Sequence, residues 1–431
     1  MSAAANKFRQ ALASHQSGDL AAAENQYRKI LAKAPLEVSV LYHLGVVLHQ
    51  QAKTAEARQV LAKTVANAPD FPEAHFSLGV VLMELGRKDE AESALRRVIS
   101  LRPDMQQALL RLGELLVLKE QYTEAASLLR KATQLRDGDA KAWVSLTVAL
   151  RHLNLLEEAI DANNRALALN GRDDNQQAQM ADLIYLLYRH DPESARQHAR
   201  RWIAAFPDSA FAQHIGSGVL GLPAPDRASD SYVKKLFDNF AESFEGQLAR
   251  IGYQVSDIVA TMTESVGSKG DLIILDAGCG TGLAATSLRQ KASRLVGVDI
   301  SPRMLEKARE KGLYDELVEM ELGDFLKTRK AAFDMIVVYD VFIYFGDLAS
   351  ILGDAAHALL PGGSLAFSVE CSDEGCSYTL GPHGRYSHGK GYLMDIIKQS
   401  GLHLHKVQET VLRHEFDKAV NAFLILATKP E

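Results

Sequence analysis

The sequence predicts two domains of different class: an all-α array of repeated helix pairs, then an α/β unit with a mostly parallel sheet. Three observations predict it. Ala23, Ala57, Ala91, Ala125 and Ala159 stand 34 residues apart, as do Gly45, Gly79 and Gly113, and Pro35, Pro69 and Pro103. After residue 270, short apolar runs alternate with helical stretches. Four of those runs lead to an aspartate, at Asp276, Asp299, Asp324 and Asp340. A chain of 431 residues has room for two or three such units.

Composition narrows the function classes. Hydrophobic residues make up 47% and charged residues 24%, which suits a globular chain and excludes disorder as the default. The formal charge of −6 gives no global basic excess, so nucleic acid is not an expected partner. Apolar stretches such as 423–427 fall far short of the ~20 residues of a membrane span. Of the three cysteines none forms a CxxC pair, so neither a disulfide scaffold nor a metal site is expected. Residues 1–10 carry Lys7 and Arg9 but no apolar segment, so no secretory signal is expected. A reduced, cytoplasmic setting follows.

Each 34-residue block reads as two amphipathic helices. The first carries a Leu-Gly pair, such as Leu44-Gly45. The second carries a small Ala followed by apolar residues at i+4 and i+7, such as Ala91, Leu95 and Val98, which share one helix face. The Pro ends the second helix. This pattern resembles the tetratricopeptide repeat over five blocks, 4–171. A sixth, degenerate block at 176–209 recovers the phase at Ala195, Trp202 and Pro207. The resemblance implies a right-handed solenoid with a concave groove. In its register Phe8, Tyr42, Phe76, Leu110 and Val144 line that groove. Leu12, Val46, Val80 and Val148 follow one turn later, with Glu114 breaking the series. The expected partner is an apolar or extended protein segment. The alternative is that these large residues pack between helices.

Gly216, Gly218, Gly221, Pro223 and Pro225 cluster where the periodicity fades. Both residue types break helix and strand, so a boundary is expected there: repeats over 1–210, a linker over 211–230, a second domain over 231–431. That domain opens with an amphipathic helix at 232–246, with Phe237, Phe240 and Phe244 on one side, and a second helix at 255–266.

Strands are expected at 272–275, 294–298, 317–322, 333–339, 363–369 and 422–428. Alternation with helices implies parallel strands and right-handed crossovers. Ligands of such sheets bind at the C-terminal strand ends, where the four aspartates fall. The first strand runs into Asp276-Ala277-Gly278-Cys279-Gly280-Thr281-Gly282. Its GxGxG spacing differs from the GxGxxG of a dinucleotide site, and no Lys follows to hold phosphate. Asp299 lies 19 residues beyond Gly280, the distance of a ribose-binding acid.

Residues 272–340 look like the class I S-adenosylmethionine-dependent methyltransferases, a Rossmann-like family, and that resemblance implies a mostly parallel seven-stranded sheet. The likeness rests on DAGCGTG, GVDISPRML at 297–305, GDF at 323–325 and LLPGGSLAF at 359–367. It implies methyl transfer from S-adenosyl-L-methionine, leaving S-adenosyl-L-homocysteine. By that resemblance Asp276, Ala277, Gly278 and Gly280 form the loop at the methionine and ribose. Asp299 takes the ribose hydroxyls, and Ile300 and Met304 pack on adenine. Asp324 bonds the adenine amine with Phe325 beside it. Asp340 sits near the methionine amino group or the methyl. Cys279 is a small loop residue rather than a nucleophile.

The acceptor-facing segment is expected after the fifth strand. Residues 371–392 hold Tyr378, His383, Arg385, Tyr386 and His388 without strong periodicity, which reads as a loop or lid. GRYSH at 384–388 is similar to bacterial methyltransferases fused to the same repeats, as is 232–253, a segment expected to close over the cofactor. There His383 or His388 is the candidate base and Arg385 the candidate ligand of an acidic acceptor; the alternative is that His388 and Tyr386 only anchor the loop. Three functions remain open: a methyltransferase whose repeats recruit a protein, a small-molecule methyltransferase whose repeats mediate assembly, and a non-catalytic cofactor-binding scaffold.

Overall fold

The computed structural model describes residues 3–171, 173–250, 255–264, 266, 271–372, 375–416 and 418–431. It divides into two compact units, Met1–Gly171 and Arg172–Glu431.

Among the described residues, the first unit contains five helix pairs, beginning with Ala3–Gln16 and Leu20–Leu31 and ending with Ala140–His152 and Leu156–Asn170. The repeated glycines are where helices touch. A Cβ on Gly45 would lie 2.6 Å from Leu61, one on Gly79 2.9 Å from Leu95, and one on Gly113 2.6 Å from Leu129. The glycine on each first helix thus admits the leucine of its own second helix. In the fifth pair Thr147 and Asn163, both fully buried, take these two places. The turn inside each pair also repeats: Gly18, Ala52, Gly86, Glu120 and Asn154 all have positive φ. A left-handed residue there reverses the chain, and only two of the five are the glycine that this conformation favours.

The second unit opens with the helix pair Asp174–Tyr188 and Pro192–Ala205, the block expected as the last repeat. The expected linker is helical in its first half. Helix Ala210–Leu220 buries Phe211, Ala212, Ile215 and Val219. Its glycines are contacts, not breaks: a Cβ on Gly216 would meet Ile203 at 2.5 Å, and one on Gly218 the Gly381 carbonyl oxygen at 2.4 Å. The expected helix 232–246 is two helices, Asp230–Phe240 and Phe244–Arg250. Next comes Val255–Met262. Residues 251–253, at the end of the segment expected to close over a cofactor, lie outside the described residues.

Among the described residues, nine strands form one sheet: β1 Leu272–Ala277, β2 Ala292–Asp299, β3 Glu316–Glu319, β4 Phe333–Val338, β5 Leu359–Cys371, β6 Tyr378–Leu380, β7 Tyr386–His388, β8 His403–Glu415 and β9 Lys418–Thr428. The order β3-β2-β1-β4-β5 is parallel, and β9 then β8 continue it antiparallel. That path is the expected seven-stranded sheet. The hairpin β6–β7 is the addition, and it replaces the expected loop at 371–392. Glu370 pairs with Ala422 of β9 on one side and Ser387 of β7 on the other, so β7 lies beyond the tip of β4.

Alternate residues enter two cores. Leu275, Ile336 and Leu365 face one, and Ile274, Met335 and Ala366 the other. A sheet covered on both faces needs such apolar strands. The chain order reverses around β1, between β2 and β4, where a crevice opens at the strand tips.

Candidate functional site

The crevice holds a cavity of about 300 Å³. Its floor is the bend after β1. Gly278, Gly280 and Gly282 have φ of +73°, +53° and +80°. A Cβ on Gly278 would come within 2.3 Å of Val341 Cγ2. The N–H groups of Gly278 and Cys279 both donate to the Val298 carbonyl, at 2.8 and 3.0 Å, which ties the bend to β2. Bare main chain therefore faces the cavity at Gly278 and Gly280.

Two carboxylates flank the bend. Asp276, 3% exposed, accepts from Tyr314 Oη at 2.6 Å. Asp299 accepts from the Gly280 N–H through Oδ2 and from the Ser301 N–H through Oδ1, each at 2.8 Å. Burial pushes both carboxyls up to about 6. It also pushes the Cys279 thiol well above its ordinary value, which fits a packed residue rather than a nucleophile.

Ile300, Met320 and Leu322 form an apolar wall, with Glu321 between the last two. Val233, Phe237, Phe244 and Leu248 cover the cavity from the helices that precede the sheet. Those helices are tied down by Lys234 to Glu319 at 2.7 Å, Lys311 to Glu245 at 2.7 Å, and Ser301 Oγ donating to Asp238 at 2.6 Å.

On the far flank Asp340 follows β4 with φ +58°, a conformation that is strained for a residue with a side chain. Its N–H donates to Ser368 Oγ at 2.9 Å, and Arg413 Nη1 stands 3.6 Å from its carboxylate. Arg413 also pairs with Glu370 and, at 2.7 Å, with Glu415. Burial raises the Glu415 carboxyl, but Arg385 and Arg413 outweigh it and bring it down to about 2.

Residues 275–367 match the family described as Methyltransferase domain. Residues 8–70, 50–106, 76–140 and 110–176 match Tetratricopeptide repeat. The chain joins tetratricopeptide repeats to a methyltransferase domain.

Several curated relatives carry methyltransferase names. Ubiquinone biosynthesis O-methyltransferase of Xylella fastidiosa (strain 9a5c) is 28% identical over 34% of this chain and 63% of its own length. Methyltransferase-like protein 27 of Homo sapiens is 30% identical over 33% and 59%. Magnesium-protoporphyrin O-methyltransferase of Rhodobacter capsulatus is 34% identical over 20% and 42%. The chain thus spans less than two thirds of each relative. Among solved structures, a MamA protein is 24% identical over 38% of this chain and 91% of its own, with a TM-score of 0.37. The [4+2]-cyclase SpnF is 16% identical over 48% and 98%, with a TM-score of 0.41.

The methyltransferase domain brings Asp276, Gly278, Gly280, Asp299, Ile300, Asp340 and Arg385 onto one cavity. It does not bring the others there. Ala277 and Met304 are fully buried, and Phe325 is 1% exposed in the core beside Phe333. Asp324 is no strand end: β3 stops at Glu319, and Asp324 sits in helix Leu322–Lys327, its side chain 68% exposed and paired with Lys327 at 3.2 Å. Glu321 caps that helix by accepting the Asp324 N–H at 2.9 Å, and it is Glu321 that reaches the cavity.

Both histidines are packed away from the cavity. His388 is fully buried, donates from Nε2 to the Gly346 carbonyl at 3.0 Å and stacks on Tyr392. Burial pushes it down to about 4. His383 Nδ1 accepts the Arg385 N–H at 3.1 Å while its ring meets Tyr185 edge-on, and burial pushes it down to about 3. Tyr386 is likewise an anchor, its hydroxyl donating to the Pro225 carbonyl at 2.8 Å. Sequence reasoning missed Glu321, Arg413 and Glu415. The last two carried a signal, since residues i and i+2 of a strand share a face.

Proposed function

We propose that the domain moves a methyl group from S-adenosylmethionine to an acceptor, and that the repeats bind the protein partner or substrate. One observation carries the cofactor reading. The Asp299 carboxylate, on the cavity wall, grips the N–H of a glycine bend whose main chain is bare. These residues fit a sulfonium nucleoside. Gly278 and Gly280 leave room for close approach, Asp299 has acceptor capacity left for ribose hydroxyls, and Ile300, Met320 and Leu322 offer an apolar slot for a base. Glu321, which lines the cavity, would bond the exocyclic amine, the role expected of Asp324.

When bound, S-adenosylmethionine supplies a methyl group already activated on sulfur. The chain's task is then to position and to dry. Phe237 and Phe244, 6.1 Å apart and edge-on, cover the cavity and exclude water. Alignment of two reactants in such a site lowers a barrier by roughly 7–11 kcal/mol. The relatives named O-methyltransferases support an oxygen acceptor. In the repeats, Phe8, Tyr42, Phe76 and Val144 are only half-buried, which leaves apolar surface for an extended segment.

Labelling with S-adenosylmethionine tritiated at the methyl tests both parts. The full chain and residues 172–431 are each incubated with cell lysate. Both should bind the cofactor, and only the full chain should label protein bands. Bands that persist without the repeats contradict recruitment, and no cofactor binding by either contradicts the whole reading.

A further inference from the structure

We propose that Arg385 binds the methyl acceptor and that this acceptor is a carboxylate, methylated on oxygen. The inference rests on the methyl-transfer reading above. Arg385 lines the cavity with its side chain 18% exposed. Its Nε donates to Glu370 at 2.8 Å, and its Nη2 to the two Glu415 oxygens at 2.8 and 2.7 Å. These bonds fix the plane of the guanidinium. The two N–H donors on Nη1 have no partner among the described residues. A mostly buried guanidinium with open donors calls for an oxygen acceptor, and its flat fork matches a planar carboxylate.

Sheet order places this donor on the acceptor's side. Asp299 ends β2, the glycine bend ends β1, and Asp340 ends β4. Arg385 immediately precedes β7, beyond the tip of β4. The nucleoside-side acid and Arg385 therefore flank the bend from opposite directions.

A carboxylate also fits what the hairpin histidines do. With an ordinary pKa of about 4 it is ionised at neutral pH and needs no base. His383 and His388, the candidate bases, are engaged by the Arg385 N–H and the Gly346 carbonyl. In the transfer, a carboxylate oxygen gives a lone pair to form O–CH3 as the S–CH3 bond of the sulfonium donor breaks. The bonding pair stays on sulfur, no proton moves, and the products are a neutral ester and a thioether.

The test uses the full chain with methyl-tritiated S-adenosylmethionine and cell lysate. Methyl esters release methanol in strong alkali, whereas methyl ethers and methylamines do not. We expect alkali to render the transferred label volatile; label that stays fixed overturns the proposal. Arg385→Gln should cut the volatile label by at least about tenfold, the size of a lost charge-assisted bond. Arg385→Lys should keep part of it. Calorimetry should show the cofactor bound with unchanged affinity by both variants. If Arg385→Gln instead loses about tenfold in cofactor affinity, Arg385 holds the cofactor and the acceptor assignment falls. Failure of the wild-type chain to bind the cofactor would sink the underlying reading, a distinct result.

Discussion

Asp299 and Gly280 are joined by a 2.8 Å hydrogen bond from the glycine N–H to the carboxylate. The tip of β2 thereby fixes the bend after β1. A carboxylate has about four lone-pair positions. The Gly280 and Ser301 N–H groups take one on each oxygen. The acid is thus oriented before any ligand arrives, with capacity remaining.

The bend should not tolerate a side chain at its first glycine. Gly278→Ala forces a positive φ on alanine and drives a Cβ to 2.3 Å from Val341. Strain of this kind costs about 1–3 kcal/mol. Thermal melts should fall accordingly and cofactor affinity should drop with them. An unchanged melting temperature and affinity would contradict the close approach.

The two strand-end acids give the unliganded chain a signed pH dependence. Asp276 and Asp299 are pushed up to about 6 by burial. Between the ordinary carboxylate value near 4 and about 6, the folded chain holds protons that the unfolded chain has released. Their contribution to stability is full at the acid end of that window and is lost as pH rises through about 6. A ligand that bonds the ionised carboxylates reverses the shift. Cofactor binding at pH 6 should therefore release protons, and affinity should weaken at lower pH. Calorimetry in buffers of different ionisation enthalpy reads the release; no buffer dependence would contradict it.

His388 should behave as a strut. Burial pushes it down to about 4, so its contribution to stability is complete above its ordinary value near 6.5 and is lost as pH falls toward 4. His388→Gln should lower stability by about 1–3 kcal/mol, the cost of an unpaired buried group. The pH profile of methyl transfer should keep its shape. A titration step present in the wild-type rate and absent in the variant would show that His388 is a base.

The repeat glycines should separate by contact. Gly113→Ala places a methyl 2.6 Å from Leu129, and overpacking of this kind costs about 1–3 kcal/mol. Gly138→Ala meets nothing within 4 Å and should leave denaturant midpoints unchanged. Equal effects would contradict the helix contact.

Much of this was legible in the sequence, and the failures have physical causes. Ala and Gly at a fixed 34-residue step marked the helix contacts, because only small residues permit them. Gly278, Gly280 and Asp299 were legible because a strand, a bend and an acid at fixed spacing leave few alternatives. Asp324 was misplaced because the alternating stretch 317–322 reads as one strand up to the acid, whereas the cap at Glu321 starts a helix there. His383 and His388 read as candidate bases because a packed imidazole and a catalytic one share a sequence signature. Gly216 and Gly218 looked like breaks because close approach and chain reversal both call for glycine. Strand β8 alternates only weakly, and its partner β9 fixes it through antiparallel register.

In the proposed function, Asp299 and the glycine bend hold a sulfonium nucleoside. Titration calorimetry of S-adenosylmethionine into the wild-type chain and into Asp299→Ala tests it most directly. Binding by the wild type is expected, with a loss of at least ~1.5 kcal/mol in the variant, from the hydrogen bonds of a charged acceptor. Equal affinity in the two chains, or no binding by the wild type, would contradict it.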